Sequence, residues 1–327
     1  MRRREFITAL GGLAVWPLAA HAQQVSRSRR VAALLPFDEN DAEGHAVIAA
    51  LRGGFSELGW PDVRIESRWG GGNVERTQAY AAELVGLSPD VMFAYFNAQL
   101  GALSRETKTI PIVFVGASDP VGAGYVASLA HPGGNITGFT LYEPTLAGKW
   151  LDVLREVAPG ITKAALLINP DTAVLHGTFY SKALETAASS VGIEQMVATV
   201  RTVADIESAI GALGKTSRSG LIVAPDTFSE VNGDLIVTLA AQHRVPAVYA
   251  IRRFAHRGGL MSYGPNIPDA VKRATTYIDR IFRGQKPADL PVQAPVKFDL
   301  VVNLKTARSI GLQIPESFLL RADEVIE

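Results

Sequence analysis

The sequence predicts an α/β protein in which two doubly wound parallel-sheet lobes lie side by side, joined by a multi-strand hinge. Three observations carry that expectation. Apolar runs of strand length alternate with amphipathic segments of helix length, the order that builds a parallel sheet with helices on both faces. The second half of the chain repeats the first in the same order. The tail then adds strands that do not simply extend the second half, and these give several chain crossings between the lobes.

In the first half, residues 31–35 are an unbroken apolar run ending at Pro36, as expected of a strand buried on both faces. Residues 45–58 read as a helix stopped by Gly59, and 63–69 as the next strand. Asn73 can cap a helix running to Val85, and 90–96 and 111–115 read as two further strands. In the second half, 164–170 matches the first strand, a helix at 177–190 and Gly192 follow, and 193–197, 219–225 and 245–249 match the remaining strands. The tail reads as a strand at 259–264, a helix at 268–282, a strand at 296–303 and a short helix at 305–310. With residues 136–140 these make three crossings. The expected division is 1–22 as an export leader, 23–138 as the first lobe with 265–295 returning to it, and 139–264 as the second with 296–327 crossing back.

Composition excludes several functions. The chain has 327 residues and zero formal net charge, without the basic footprint of a nucleic-acid binder. It has no cysteine, so disulfides, thiol nucleophiles and zinc–thiolate sites are absent. Arg2, Arg3 and Arg4 precede an apolar stretch at 7–20 and the small-x-small triplet Ala20, His21, Ala22, the pattern of a cleaved export signal. Arg3 and Arg4 followed by Glu5, Phe6 and Ile7 resemble a twin-arginine leader, so a periplasmic protein cleaved near Ala22 is expected.

In open α/β sheets, ligands bind outside the carboxyl ends of the strands. Those ends supply Phe37, then Tyr95, Phe96, Asn97, Ala98 and Gln99, then Ser118 and Asp119, then Asn169 and Asp171, then Asp226 and Thr227, and finally Tyr249. If the lobes face each other, these loops line one cleft. The helix starting near Asn97 offers free backbone N–H groups to a carboxylate. Asp119 or Asp226 could accept an ammonium or hydroxyl, and Phe37, Tyr95, Phe96 and Tyr249 could stack on an apolar group, although Tyr249 lies within its strand and fits core packing better.

Enzyme signatures come close and fail. Gly122, Gly124 and Ala127 approximate a dinucleotide loop, but Ser118, Asp119 and Pro120 intervene after the strand. Gly214, Lys215 and Thr216 end like a phosphate loop whose first glycine is replaced by Ala209. Ser262 would sit in a nucleophile elbow only with glycine in place of Leu260. The six histidines show no metal-ligand spacing. No cofactor, metal or catalytic residue is expected.

Seven segments together resemble one family: KTIPIVFV (108–115), SDPV (118–121), LAHPGGNITG (129–138), GGLMSYGP (258–265), KPADLP (286–291), FDLVVNLKTA (298–307) and RADEVIE (321–327). The family is that of ABC-transporter substrate-binding proteins related to the tryptophan/tyrosine transport binding proteins. The resemblance implies a type I periplasmic-binding-protein fold, with ligand-facing segments at 95–99, 116–119, 140–141 (Thr140 and Leu141) and 225–227. Relatives often place small residues at the third strand end, where this chain has Tyr95, Phe96 and Asn97. The expectation is a non-enzymatic, monomeric protein that closes over a small carboxylate-bearing solute, with an amino acid or aromatic acid favoured, and presents it to an ABC permease in the inner membrane. The alternatives are a secreted hydrolase using strand-end aspartates, or a sensing module for a membrane receptor. No nucleic-acid partner is expected.

Overall fold

The apolar runs become central strands. In the computed structural model, which describes residues 28–327, β1 (Arg30–Leu35) alternates its side chains between two cores. Val31, Ala33 and Leu35 face one, Ala32 and Leu34 the other. It pairs in parallel with β2 (Arg64–Trp69) and β3 (Val91–Tyr95). β4 (Ile112–Val115) and β5 (Ile136–Phe139) extend the sheet to the order β2-β1-β3-β4-β5, all parallel. Helix α1 (Ala42–Glu57) covers one face; α2 (Val74–Gly86) and α3 (Asn97–Glu106) cover the other. The leader expected over residues 1–22, including Arg3 and Arg4, lies outside the described residues.

The chain then passes to α4 (Leu146–Val157) and a second sheet, built from β6 (Lys163–Ile168), β7 (Glu194–Thr199), β8 (Ser219–Val223), β9 (Ala247–Tyr249), β10 (Met261–Pro265), β11 (Phe298–Asn303) and β12 (Glu324–Ile326). Its order is β12-β11-β10-β9-β8-β6-β7, and only β10 and β11 are antiparallel neighbours. Between the strands come α5 (Thr178–Ser190), preceded by a single 3-10 turn (Val174–Gly177), α6 (Val203–Lys215), α7 (Thr227–Val231), α8 (Gly233–Gln242) and α9 (Arg252–His256).

Three segments cross between the sheets. The first follows β5. The second follows β10, where α10 (Ile267–Phe282) returns to pack on α1 and beside β4 and β5. Residues 290–293 then run along β5: Thr137 donates to the Leu290 carbonyl at 2.6 Å, and the Thr140 N–H donates to that of Gln293 at 2.9 Å. From there the chain re-enters the second sheet as β11, the third crossing. Short helices α11 (Leu304–Ser309) and α12 (Glu316–Leu319) precede β12.

Small shifts from the sequence reading have local causes. The first helix starts at Ala42 because the Asp41 side chain caps the N–H groups of Glu43 and Gly44. The strand expected at 193–197 is β7, which runs two residues further because it is an edge paired with β6 through Ile168 and Thr199. The last residues form a strand parallel to β11, an edge position that their charged sequence does not advertise.

Candidate functional site

The carboxyl ends of the two sheets face one another across a cleft. A cavity enclosing about 70 Å³ lies between them. From the first sheet it is lined by Phe96, Asn97, Ala98, Gly116 and Ser118, from the first crossing by Tyr142, and from the second sheet by Thr172, Asp226, Thr227, Glu230 and Ile251. A wider outer pocket of about 330 Å³ shares Asn97, Ala98 and Thr227 and adds Gln99 and Asp171.

The sequence-expected residues therefore divide. Phe96, Asn97, Ala98, Ser118, Asp226 and Thr227 meet at the inner cavity, with Gln99 and Asp171 at its mouth. Seven do not line either space. Phe37 and Tyr95 are buried against each other, ring centroids 5.6 Å apart. Tyr249 stacks on Phe254 at 4.9 Å in the core of the second lobe. Leu141 is wholly buried, and Thr140 is tied to Gln293 in the crossing. Asn169 spends its side-chain oxygen on the Asp171 N–H at 2.8 Å. Asp119, with φ of 44°, spends a carboxylate oxygen on the Gly122 N–H at 2.9 Å and serves its own turn.

Asp226 reaches the cavity wall, but its carboxylate is occupied. It caps α7 through the Phe228 and Ser229 N–H groups and also accepts from the hydroxyls of Ser229 and Thr172. Asp171 pairs with Arg201 at 3.1 Å on the surface.

The chemistry that remains free is different. Phe96 precedes α3 without a side-chain cap, and the N–H groups of Asn97, Ala98 and Gln99 have no acceptor among the described residues, leaving an α-helix start open to an anion. Asn97 is fixed against the next strand end: its Oδ1 accepts from the Ser118 N–H at 2.7 Å and its Nδ2 donates to the Ser118 carbonyl at 3.2 Å. The hydroxyl of Tyr142 on the cavity wall is buried with no hydrogen-bond partner, as are the hydroxyls of Tyr95 and Tyr180 and Oε1 of Gln99 nearby. A buried polar atom without a partner is costly, and a ligand that satisfies it recovers the difference.

Phe96 itself is strained. Its φ of 71° and ψ of 174° lie in a region essentially reserved for glycine, at a cost on the order of 1–3 kcal/mol. Two backbone bonds hold it there: its N–H donates to the Val115 carbonyl at 2.9 Å, and its carbonyl accepts from the Leu100 N–H at 3.1 Å.

Charge gathers where the lobes touch. Arg253 of α9 donates to Glu230 at 2.8 Å within its own lobe, and lies 2.9 Å from Glu43 and 3.5 Å from Asp41 at the start of α1 in the other. Three carboxylates thus share one guanidinium. Burial pushes the Glu230 carboxyl up to about 7, against the opposing pull of Arg253. Burial also raises Glu43, again opposed by Arg253. Sequence reasoning missed Glu230, Tyr142 and Thr172. Tyr142 lies in the first crossing and Glu230 within α7, away from strand ends, while Thr172 directly follows Asp171 in the loop after β6 and was passed over in favour of the charged residue.

The model of the ABC transporter substrate binding protein family matches residues 39–326, nearly the whole described chain. The chain belongs to that family. It is 23% identical over 253 residues to a tyrosine-binding protein of Clostridioides difficile, covering 77% of this chain and 72% of that one. A solved structure of a conserved domain protein from Vibrio cholerae superposes with a TM-score of 0.83 at 26% identity, covering 91% of this chain and 100% of the other. An ABC domain from Streptococcus pneumoniae in complex with L-Trp also gives 0.83, at 22% identity with the same coverage. The fold is the type I periplasmic-binding-protein architecture. Members of the family bind solutes for ABC transporters outside the cytoplasm and are not enzymes. No helix among the described residues is long and apolar enough to cross a membrane, and none of their acidic and histidine side chains cluster to hold a metal.

Proposed function

We propose that this protein is the periplasmic receptor of an ABC importer for a small α-amino acid, held in the cleft between the lobes and passed to an inner-membrane permease. The observation that carries the reading is the pairing of opposite chemistries on one cavity. The open start of α3 suits a carboxylate. Glu230, on the facing lobe, has one oxygen bound by Arg253 and the other without a donor among the described residues, and so suits an ammonium. The unpartnered Tyr142 hydroxyl gives the ligand a further hydrogen bond. An amino acid supplies both charges; a neutral sugar supplies neither. The twin-arginine leader and a monomeric state belong to the same proposal, and the aspartate-based hydrolase loses support because Asp119, Asp171 and Asp226 are each committed elsewhere.

The test is a thermal-shift and calorimetric screen of amino acids, their methyl esters, their N-acetyl derivatives and neutral sugars. At a hundredfold excess over Kd a true ligand stabilises the fold by about 2.7 kcal/mol. Free amino acids are expected to bind, with both the ester and the N-acetyl form at least tenfold weaker. Binding confined to sugars, or an ester as tight as its acid, would overturn the assignment.

A further inference from the structure

Phe96 is the one aromatic ring of the third strand end that reaches the cavity; its neighbour Tyr95 is fully buried beneath it, with ring centroids 4.3 Å apart. The ring lies over Gly116 at the end of the adjacent strand. A Cβ there would collide with it, and Gly116 itself has a φ of 89°. Bulk from one strand end is thus accommodated by its absence from the next. Glycine at position 96 would adopt the same backbone without strain, so the benzyl group is carried at a conformational cost. The cavity it leaves encloses about 70 Å³, well below the roughly 300–1,000 Å³ of sites that hold drug-sized ligands.

We propose that Phe96 is the specificity-determining residue of this cleft: its ring fills the volume that the side group of a larger solute would occupy, restricting the protein to small, non-aromatic amino acids. This rests on the reading of the cleft as an amino-acid site and adds to it a size limit. The backbone N–H groups of α3 and the Glu230 carboxylate recognise what every α-amino acid shares. Discrimination between side groups falls to the remaining wall, into which Phe96 places a phenyl ring. Removing the ring should change which amino acids bind without removing the groups that bind their common part.

The experiment is calorimetric titration of wild type, Phe96→Leu and Phe96→Gly with a graded amino-acid series (alanine, serine, threonine, phenylalanine, tyrosine, tryptophan), and with a graded polyol series as a chemically unrelated control. Wild type is expected to bind the small amino acids at least tenfold tighter than the aromatic ones. Phe96→Gly should tighten aromatic amino acids by tenfold or more and weaken the small ones, with Phe96→Leu between. A cooperative melt of Phe96→Gly shows that the variant is folded, as expected because glycine relieves the backbone. Amino-acid binding whose size preference is the same in all three proteins overturns the role of Phe96 and leaves the amino-acid reading intact. Binding confined to polyols overturns the amino-acid reading; a size cut that Phe96→Gly abolishes in that series still upholds the role of the ring, and no such cut overturns it. Silence throughout both series overturns both.

Discussion

Glu230 shows how burial turns a single carboxylate into a reporter of the site. Its carboxyl titrates near 7 in the folded protein, against about 4.5 for the ordinary group, with burial the largest cause. Between those values the folded chain holds a proton that the unfolded chain has lost, so folding stability falls as pH rises through this window. The whole shift corresponds to about 3 kcal/mol. Urea denaturation from pH 4.5 to 8 should show this loss, and Glu230→Gln should flatten the curve; equal slopes would remove Glu230 as its source. A ligand ammonium stabilises the ionised form, so amino-acid affinity should rise with pH over the same window and binding should release a proton, both absent in Glu230→Gln. Asp226 has a structural part instead, since its oxygens are occupied in capping α7. Asp226→Ala should cost about 1–2 kcal/mol of stability while weakening ligands with and without an amine alike. The two acids explain what was legible of the site. Strand-end position picks out Asn97, Ala98, Ser118, Asp226 and Thr227, which line the cavity. Strand-end position says nothing about whether a carboxylate is already satisfied, so it favoured Asp119 and Asp226 and passed over Glu230, whose importance comes from the facing lobe.

The elements were legible wherever burial on two faces forces an apolar run, as in β1, β3, β4, β6 and β8, and wherever a capping side chain marks a helix, as Asn73 does for α2. They were least legible where tertiary pairing overrides local pattern. β12 forms on β11 from a segment whose residues are no more than half-buried, and α7 is a single turn held by the Asp226 cap. The return of α10 to the first lobe is set by a contact that sequence alone does not display: Gly54 of α1 leaves room for Thr275 of α10, whose Cγ2 would lie 2.8 Å from a Cβ at position 54. Gly53, one residue earlier, faces open space, with nothing within 4 Å of where a Cβ would sit. Gly54→Leu is therefore expected to overpack the α1–α10 interface and cost about 1–3 kcal/mol. Gly53→Leu should be neutral or slightly stabilising, because leucine is a better helix former than glycine by up to about 1 kcal/mol. Chemical denaturation of the two variants decides it; equal effects would mean that α10 is not seated by this contact.

Across the whole molecule, three chain crossings join the lobes, and the Arg253 side chain reaches from one to the other. Arg253 is 15% exposed and bridges Glu230 of its own lobe to Glu43 and Asp41 of the other. Without it, two half-buried carboxylates would face each other unpaired, and an ion left unpaired in a partly dry site is destabilising. The cheaper response is for the lobes to part and let water reach both acids. Arg253→Ala should therefore have a larger radius of gyration than wild type by small-angle scattering at pH 8. The sign of its pH dependence follows from the raised Glu230 carboxyl: as pH falls below 7, Glu230 takes up a proton, its repulsion with Glu43 disappears, and the variant should close again. Salt provides an independent check, because screening weakens repulsion between carboxylates once the cleft is wet. The pH 8 opening should shrink in high salt, while the wild-type radius stays constant. A variant whose radius matches wild type at pH 8 would show that the tie does not hold the cleft shut. Adding a saturating amino acid to wild type gives the complementary measurement: its ammonium adds a cation beside the carboxylates that share the Arg253 guanidinium, so the ligand-bound protein should be at least as compact as the free one at every pH above 7.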